Sequence, residues 1–247
     1  MTTTGLLLVS GAGFLAGAVN GVAGGGSLIS FPALLAVGYG SVPANVTNQV
    51  AVLPGYLGGS IAYREELQGQ GPRIRTLGLT SAAGGLLGSL LLLVSPEAVF
   101  RQLVPFLILL SCALLAAQPL LARLVQRSGA GGSRRSLLAA QLSVSVYGGY
   151  FGAGLGIMML ALLGSFLRDD LHRVNALKGV LSLVIGLASA AFFALFGPVA
   201  WTAAGVMAVA SLVGGQLGVK VARRVGATTL RTVVVLFGIA VAIQLMR

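Results

Sequence analysis

The sequence predicts an all-α polytopic membrane protein built from two inverted repeats, each a broken, re-entrant helix hairpin followed by three transmembrane helices. Hydrophobic residues make up 56% of the 247 positions, charged residues make up only 9%, and the mean hydropathy is +0.96. Soluble domains contain about 25% charged residues. A spanning helix needs ~20 mostly apolar residues, and many such windows alternate here with short charged connections. Almost no sequence remains for a soluble domain.

Two of the ten apolar segments are too short to cross a bilayer. The segments run over residues 5–22, 27–38, 44–62, 76–94, 100–122, 136–151, 157–167, 174–196, 199–219 and 230–246. A dozen helical residues at ~1.5 Å each cover about half of a ~30 Å hydrocarbon core. The second and seventh segments each follow a glycine cluster, and irregular backbone inside a membrane must be buried or line a cavity. We therefore predict that each pairs with the preceding segment as a broken hairpin.

A glycine-rich basic connection over residues 123–135 divides the chain into two similar halves. We predict a first repeat over 1–122, a cytoplasmic linker over 123–135 and a second repeat over 136–247. Matching positions, each 130 apart, are Gly24 and Gly154, Gly26 and Gly156, and Asn45 and Asn175. The shared segment order and spacing indicate an internal duplication.

The basic residues predict how the hairpins lie. If the hairpins turn back without crossing the membrane, thirteen basic residues lie on one side of the membrane, and Arg101 and Arg247 lie on the other side. If each broken segment crossed once, the same charges would divide seven to eight. The positive-inside rule favours the first arrangement, with the basic face cytoplasmic and both termini outside. Each half then crosses an odd number of times, so the repeats are inverted. The charges form no basic run with interleaved aromatic residues, so we expect no nucleic-acid partner.

The first candidate site element is the glycine break in the first half. Asn20 precedes the break, Gly24, Gly25 and Gly26 permit a tight turn, and Ser27 begins the second half-helix. Unpaired N–H groups and the dipole at that helix end attract anions. The equivalent positions in the second half are Gly154 and Gly156. An alternative is that these glycines only allow close helix packing.

The second candidate element is a polar group just after each hairpin. Asn45 is expected to open and cap a helix, which leaves Thr47 and Asn48 to bind a ligand or a neighbouring helix. In the second half Asn175 opens the equivalent helix, and Lys178 stands where the first half has Asn48. Lys178 either snorkels to a nearby surface or holds an anionic substrate in a polar cavity.

Catalytic and metal chemistry find no support in the sequence. All five carboxylates lie in connections or at a span boundary, so a carboxylate proton relay is not indicated. The chain has one histidine and one cysteine and lacks HExxH and GxSxG motifs. We expect no enzyme activity, no metal and no cofactor.

Two stretches carry a family resemblance. GAVNGVAGGGSLISFPALLAVG followed by VPANVTNQVAVLPGYLGGSIAYREEL, with the weaker echo FGAGLGI and HRVNALKGVLSLVIG, resembles the TauE/SafE family of sulfite exporters and related anion permeases. The resemblance implies a permease of the bacterial inner membrane that moves sulfite, sulfonates or similar anions. It points to Gly24, Gly25, Gly26, Pro32, Asn45, Thr47, Asn48, Gly154, Gly156, Asn175 and Lys178. FGAGLGIMML lacks the triple glycine and the following proline, which sets the second hairpin apart from the first.

We therefore expect a secondary transporter of a small anion, most simply an exporter of sulfite or an organosulfonate. An uptake permease, an anion channel and a membrane scaffold that transports nothing are the alternatives. The expected partners are the small anion and the lipid bilayer, and whether the chain forms a homodimer stays open.

Overall fold

The computed structural model describes residues 2–22, 25–62, 65–127, 132–167, 169–218 and 227–246, and within these ranges it contains helices and no strand. The helices are α1 Thr3–Val22, α2 Ser27–Ala36, α3 Ser41–Ala62, α4 Gly71–Val94, α5 Glu97–Arg127, α6 Arg134–Tyr150, α7 Leu155–Phe166, α8 Leu171–Phe196, α9 Trp201–Val213 and α10 Ala227–Met246. A π-helical turn, Gly214–Gly218, follows α9 directly. Gly24 and the basic residues Arg64, Arg168, Lys220, Arg223 and Arg224 lie outside the described residues.

Within the described ranges, five helices are long and apolar enough to span a membrane: Thr3–Asn20, Gly71–Val94, Glu97–Leu121, His172–Phe196 and Thr228–Met246. Large apolar side chains point away from the protein, with Leu79 71% and Leu195 76% exposed, as expected for surfaces in contact with lipid. The prediction of an all-α polytopic membrane protein is confirmed.

The two short helices are those predicted from segment length, α2 with 10 residues and α7 with 12. Each returns toward the end of the bundle at which its hairpin began. Thr2 and residues 37–39 line one surface depression of about 430 Å³, and Gly132 lies against the ring of Phe166. By length alone α1 could also span a membrane, although it forms the first arm of a hairpin.

Helix starts repeat along the chain with a constant spacing. α3, α4 and α5 begin at residues 41, 71 and 97, whereas α8, α9 and α10 begin at residues 171, 201 and 227, each 130 later. The order of one long helix, one short helix and three further helices is therefore the same in both halves.

The connections define two ends of the bundle. Arg73, Asp169 and Arg173 meet at one end, which we call the basic face. At the other end, the opposite face, the Glu97 carboxylate accepts a hydrogen bond from the backbone N–H of Ser41 (3.0 Å). The starts of α3 and α5 therefore lie together on the opposite face.

Helices from different halves pack closely through glycine. In the contact of α1 with α9, a Cβ at Gly17 would overlap the carbonyl oxygen of Ser211. In the contact of α4 with α6, a Cβ at Gly88 would overlap the carbonyl oxygen of Val146. Small residues at such contacts let helix backbones approach within a membrane. The two halves are thus interleaved.

The central helices α3 and α8 contact each other and run antiparallel. Near the start of α3, the Thr47 hydroxyl accepts a hydrogen bond from the Ala200 N–H, just beyond the end of α8 (3.0 Å). Beyond the end of α3, the Gln70 amide donates to the carbonyl of Arg173 in the first turn of α8 (3.0 Å).

The predicted starts of these central helices were wrong. α3 begins at Ser41, so Asn45 lies in its second turn and does not cap it. α8 begins at Leu171 with Asp170 as its cap, so Asn175 also lies inside the helix. Pro43 is compatible with the first turn of a helix, where its missing N–H costs nothing, and the helix therefore starts before it.

Candidate functional site

The first helix break is held by Asn20. The Oδ1 atom of Asn20 accepts a hydrogen bond from the backbone N–H of Gly26 (2.7 Å). Gly25 has a φ of +85°, which favours glycine, and a Cβ at Gly26 would overlap the carbonyl oxygen of Ala16. Asn20 and these two glycines therefore shape the turn that leads into α2.

The second break is held by a pair of hydroxyl groups. Gly152 and Gly154 have φ values of +78° and +77°, and the Ala153 carbonyl between them accepts from the hydroxyls of Tyr147 (2.6 Å) and Ser111 (2.9 Å). Ser111 lies on α5, so α5 fixes the position of the break. The sequence reading missed Ser111, because a single serine in an apolar span gives no signal.

A small cavity lies between the two breaks and the central helices. Its volume is about 20 Å³, room for about one water molecule. The lining includes Ser27 at the start of α2, Leu155 at the start of α7, Gln49 and Val52 on α3, and Ser182 on α8. Val52 and Ser182 stand 130 residues apart, so equivalent positions of the two halves meet here.

Both short helices present uncapped N-termini at this cavity. The N-cap residues are Gly26 for α2 and Gly154 for α7, and neither supplies a side-chain capping bond. By contrast, α6 and α8 are capped by the side chains of Ser133 and Asp170 on the basic face. A helix N-terminus carries partial positive charge. Most of the N–H groups at these two ends already donate to backbone carbonyls, such as Leu28 to Gly25 in α2 and Ile157 to Gly154 in α7, so the helix dipole is their main contribution. The two ends that converge on the cavity thus suit an anion.

The cavity contains one polar atom with no partner. Ser182 is 2% exposed, and its Oγ atom forms no hydrogen bond among the described residues. The Gln49 amide donates to the carbonyl of Gly149 (3.1 Å), which leaves its second N–H for another acceptor. Neither residue was among the predicted site residues, although Gln49 directly follows Asn48.

The three predicted polar residues of α3 form bonds within the protein instead of lining the cavity. Asn45 donates to the carbonyl of Tyr150 (2.8 Å), and Asn48 accepts from the hydroxyl of Ser30 (2.5 Å). Thr47 accepts from Ala200, as described above. All three are at most 1% exposed. In this structure they connect α3 to α2 and to the second half.

Two polar residues of α8, Asn175 and Lys178, form no such bonds with the described residues. Asn175 and Lys178 are half-buried, and no described residue forms a hydrogen bond or ion pair with their side chains. With Ser182 they occupy positions i, i+3 and i+7, which share one helix face. Lys178 lies one helical turn, ~6 Å along the axis, from Ser182. Of the other predicted glycines, Gly156 has open space beside it.

An ionic cluster joins the two halves at the basic face. Asp169 contacts the guanidinium of Arg73 at 2.5 Å and that of Arg173 at 3.0 Å. Burial raises the pKa of the Asp169 carboxyl, but the hydrogen bond from Arg73, the bond from its neighbour's N–H and both arginine charges outweigh burial. The pKa therefore lies below its ordinary value of 3.8.

The described ranges show no cluster of side chains that could hold a metal ion. No group of three or more His, Cys, Asp or Glu residues there is arranged to hold a metal ion. Among the described residues, the cavity lining is mostly apolar, with the hydroxyls of Ser27 and Ser182 and the amide of Gln49 as its polar side chains and no carboxylate. Such a lining can bind and orient a small polar solute.

Span-length helices, interrupted helices and a small cavity between the two breaks are features that multi-pass membrane transporters share. Residues 9–245 match the family described as Sulfite exporter TauE/SafE. The chain belongs to the TauE/SafE sulfite exporter family, and its broad function is membrane transport. It is a family of transporters, not of enzymes.

Curated relatives agree with this assignment. A "Probable membrane transporter protein" of Haemophilus influenzae is 32% identical over 91% of this chain and 88% of its own length. "Probable membrane transporter protein ORF9" of Sinorhizobium sp is 27% identical over 95% of this chain and 90% of its own length. "Probable membrane transporter protein YfcA" of Escherichia coli is 24% identical over 94% of this chain and 86% of its own length. No solved structure matches the chain significantly.

Proposed function

We propose that the protein is a secondary transporter that exports a small anion, sulfite or an organosulfonate, across the bacterial inner membrane. One observation carries this proposal: the N-termini of two half-helices, neither with a side-chain capping bond from its N-cap residue, converge on one small cavity whose mostly apolar lining includes Ser27, Gln49 and Ser182. Lys178 adds a positive charge one turn away, and no carboxylate lines the cavity to oppose an anion. The family description, sulfite exporter, names the same class of substrate.

The proposed architecture is a pair of inverted repeats, 1–122 and 136–247, joined by a cytoplasmic linker. The antiparallel course of α3 and α8 supports inversion, because repeats related by an axis along the membrane normal would place equivalent helices parallel. The basic face is then cytoplasmic. With single cysteines in a Cys112→Ala background, Gln68→Cys and Ser133→Cys are expected to label only from the cytoplasm, and Ser95→Cys only from outside. Labelling of Gln68→Cys and Ser133→Cys from different sides would exclude this topology.

The cavity is too small for sulfite as it stands, since it has room for about one water molecule. The described conformation is therefore closed, and transport requires the halves to separate around the cavity. The inside-negative membrane potential drives an anion outward at ~2.3 kcal/mol per charge per 100 mV. Export consequently needs no proton relay.

Binding and flux test the proposal separately. The purified protein is screened by thermal unfolding against sulfite, methanesulfonate, taurine, sulfate and lactate. A ligand at 100 times its Kd stabilises the folded state by about 2.7 kcal/mol, so sulfite or a sulfonate is expected to raise Tm at millimolar concentration. A protein that none of these anions stabilises would instead fit the scaffold alternative.

Transport is then measured in proteoliposomes loaded with the stabilising anion, with protein-free liposomes as the control. Saturable efflux and counterflow are expected of a secondary transporter, and non-saturating flux without counterflow would indicate a channel. A potential that is negative inside the compartment facing the basic face should accelerate efflux from it. Uptake against that potential would contradict export. Light scattering of the same preparation distinguishes a monomer from a homodimer.

A further inference from the structure

We propose that Ser182 contacts the transported anion directly and that the anion reaches it from the basic face, along Asn175 and Lys178. This inference rests on the proposed function, because it assigns the contact point and the access route of the same site. The structure supplies two independent observations: an unpartnered buried hydroxyl in the cavity, and a difference between equivalent positions of the two halves.

The Ser182 hydroxyl has no structural role that the described residues reveal. It is 2% exposed and unpaired, and a buried polar group without a partner costs about 1 to 3 kcal/mol. The equivalent residue of the first half is the apolar Val52, which lines the same cavity at 6% exposure. An apolar side chain is therefore compatible with packing here. A serine that destabilises the closed state is explained if it donates a hydrogen bond to a ligand in the cavity.

Equivalent positions of the central helices differ in exposure and in bonding. Asn45 and Asn48 on α3 are at most 1% exposed and bonded to Tyr150 and Ser30. Their equivalents on α8, Asn175 and Lys178, are half-buried without a described partner. The polar side chains of α3 toward the opposite face are therefore used in bonds within the protein. Those of α8 toward the basic face have no described partner, which is why we assign the access route to α8.

The charges along this route suit an anion. Lys178 lies between the cavity and the basic face. Near the start of α8 on that face, Asp169 is neutralised by two arginines and Asp170 caps the helix. Glu66 also lies on this face, because the Gln70 amide donates to the carbonyls of both Glu66 and Arg173. A small oxyanion moving from the basic face would therefore meet Lys178 before Ser182. At Ser182 it would exchange water for one hydroxyl, the Gln49 N–H that has no bond among the described residues, and the positive dipole ends of α2 and α7.

The first experiment separates a binding role from a structural one. Ser182→Ala removes the unpaired hydroxyl, so we expect an unchanged or higher Tm without ligand and at least a tenfold weaker Kd for sulfite. The matched control is Ser189→Ala, on the same helix face, whose hydroxyl bonds the Gly85 carbonyl (3.4 Å) and whose loss should leave the Kd unchanged. An unaltered Kd in Ser182→Ala would overturn the inference. Absence of anion binding by the unmutated protein would instead overturn the proposed function.

The second experiment measures access. In a Cys112→Ala background, Ser182→Cys is treated in oriented proteoliposomes with an anionic, membrane-impermeant methanethiosulfonate. We expect modification from the basic face only, protection by sulfite, and slower modification when Lys178→Met is added. Modification from the opposite face only, or a rate that neither sulfite nor Lys178→Met alters, would refute the access route.

Discussion

Replacing Lys178 by methionine should weaken anion binding by an amount that the structure allows us to work out. Lys178 lies ~6 Å along α8 from Ser182, at the edge of the proposed site. At an effective dielectric constant of about 20, two unit charges ~6 to 8 Å apart interact by about 2 to 3 kcal/mol. Lys178→Met should therefore raise the Kd of a monovalent sulfonate roughly 30- to 150-fold. A divalent anion should lose more.

Isothermal titration of methanesulfonate into the purified variants measures this loss. Lys178→Arg keeps the charge and is the matched control, with an expected change in Kd below about tenfold. The increase in Kd caused by Lys178→Met should also be smaller in high salt if water reaches the lysine. A Kd in Lys178→Met that equals that of the unmutated protein would show that the lysine only snorkels to the basic face, as the sequence allowed.

Two further predictions concern stability. Asp169→Asn should lower the free energy of unfolding by at most about 1 kcal/mol, because the partner arginines are 40% and 35% exposed. Folding lowers the pKa of Asp169, so this stabilisation is complete above the ordinary value and disappears as the pH falls through the lowered one. Thermal unfolding of both proteins from pH 7 to pH 3 should show the difference decrease once the pH falls below 3.8, and a constant difference would argue against the ion pairs. Gly17→Ala should destabilise by about 1 to 3 kcal/mol through its clash with α9. Gly11→Ala on the same helix meets nothing within 4 Å and is the control, and equal Tm values for the two would refute the close packing.

The architecture could be predicted from sequence because its signals are long or repeated. Segment length and glycine clusters indicated two short helices, and the 130-residue spacing is matched by the starts of three helix pairs. The first residues of individual helices were harder to predict. Asn45 and Asn175 resemble caps, but Pro43 is accommodated inside the first turn of α3 and Asp170 caps α8. Several neighbouring residues can each serve as the N-cap of a helix, and the sequence alone does not decide which of them does.

The site was only partly predictable, because buried amides serve ligands and neighbouring helices with the same atoms. Asn45 and Asn48 form a polar cluster in the sequence that predicted a ligand site, yet their side chains form hydrogen bonds with Tyr150 and Ser30. Ser182 lies in the apolar run LSLVIG and gave no signal. Its distinguishing property is that it lacks a partner, and this is visible only once the surrounding helices are in place.

The interleaved packing of the two halves has a consequence for biosynthesis. α1 leaves the ribosome well before α9, which covers its glycine face from nearly 200 residues further along the chain. During synthesis, α1 must therefore persist in the membrane with that face against lipid or against a chaperone. The first half cannot reach its final packing alone, so its stability should rise abruptly when α9 is inserted. Separately expressed halves should consequently be degraded alone and survive together.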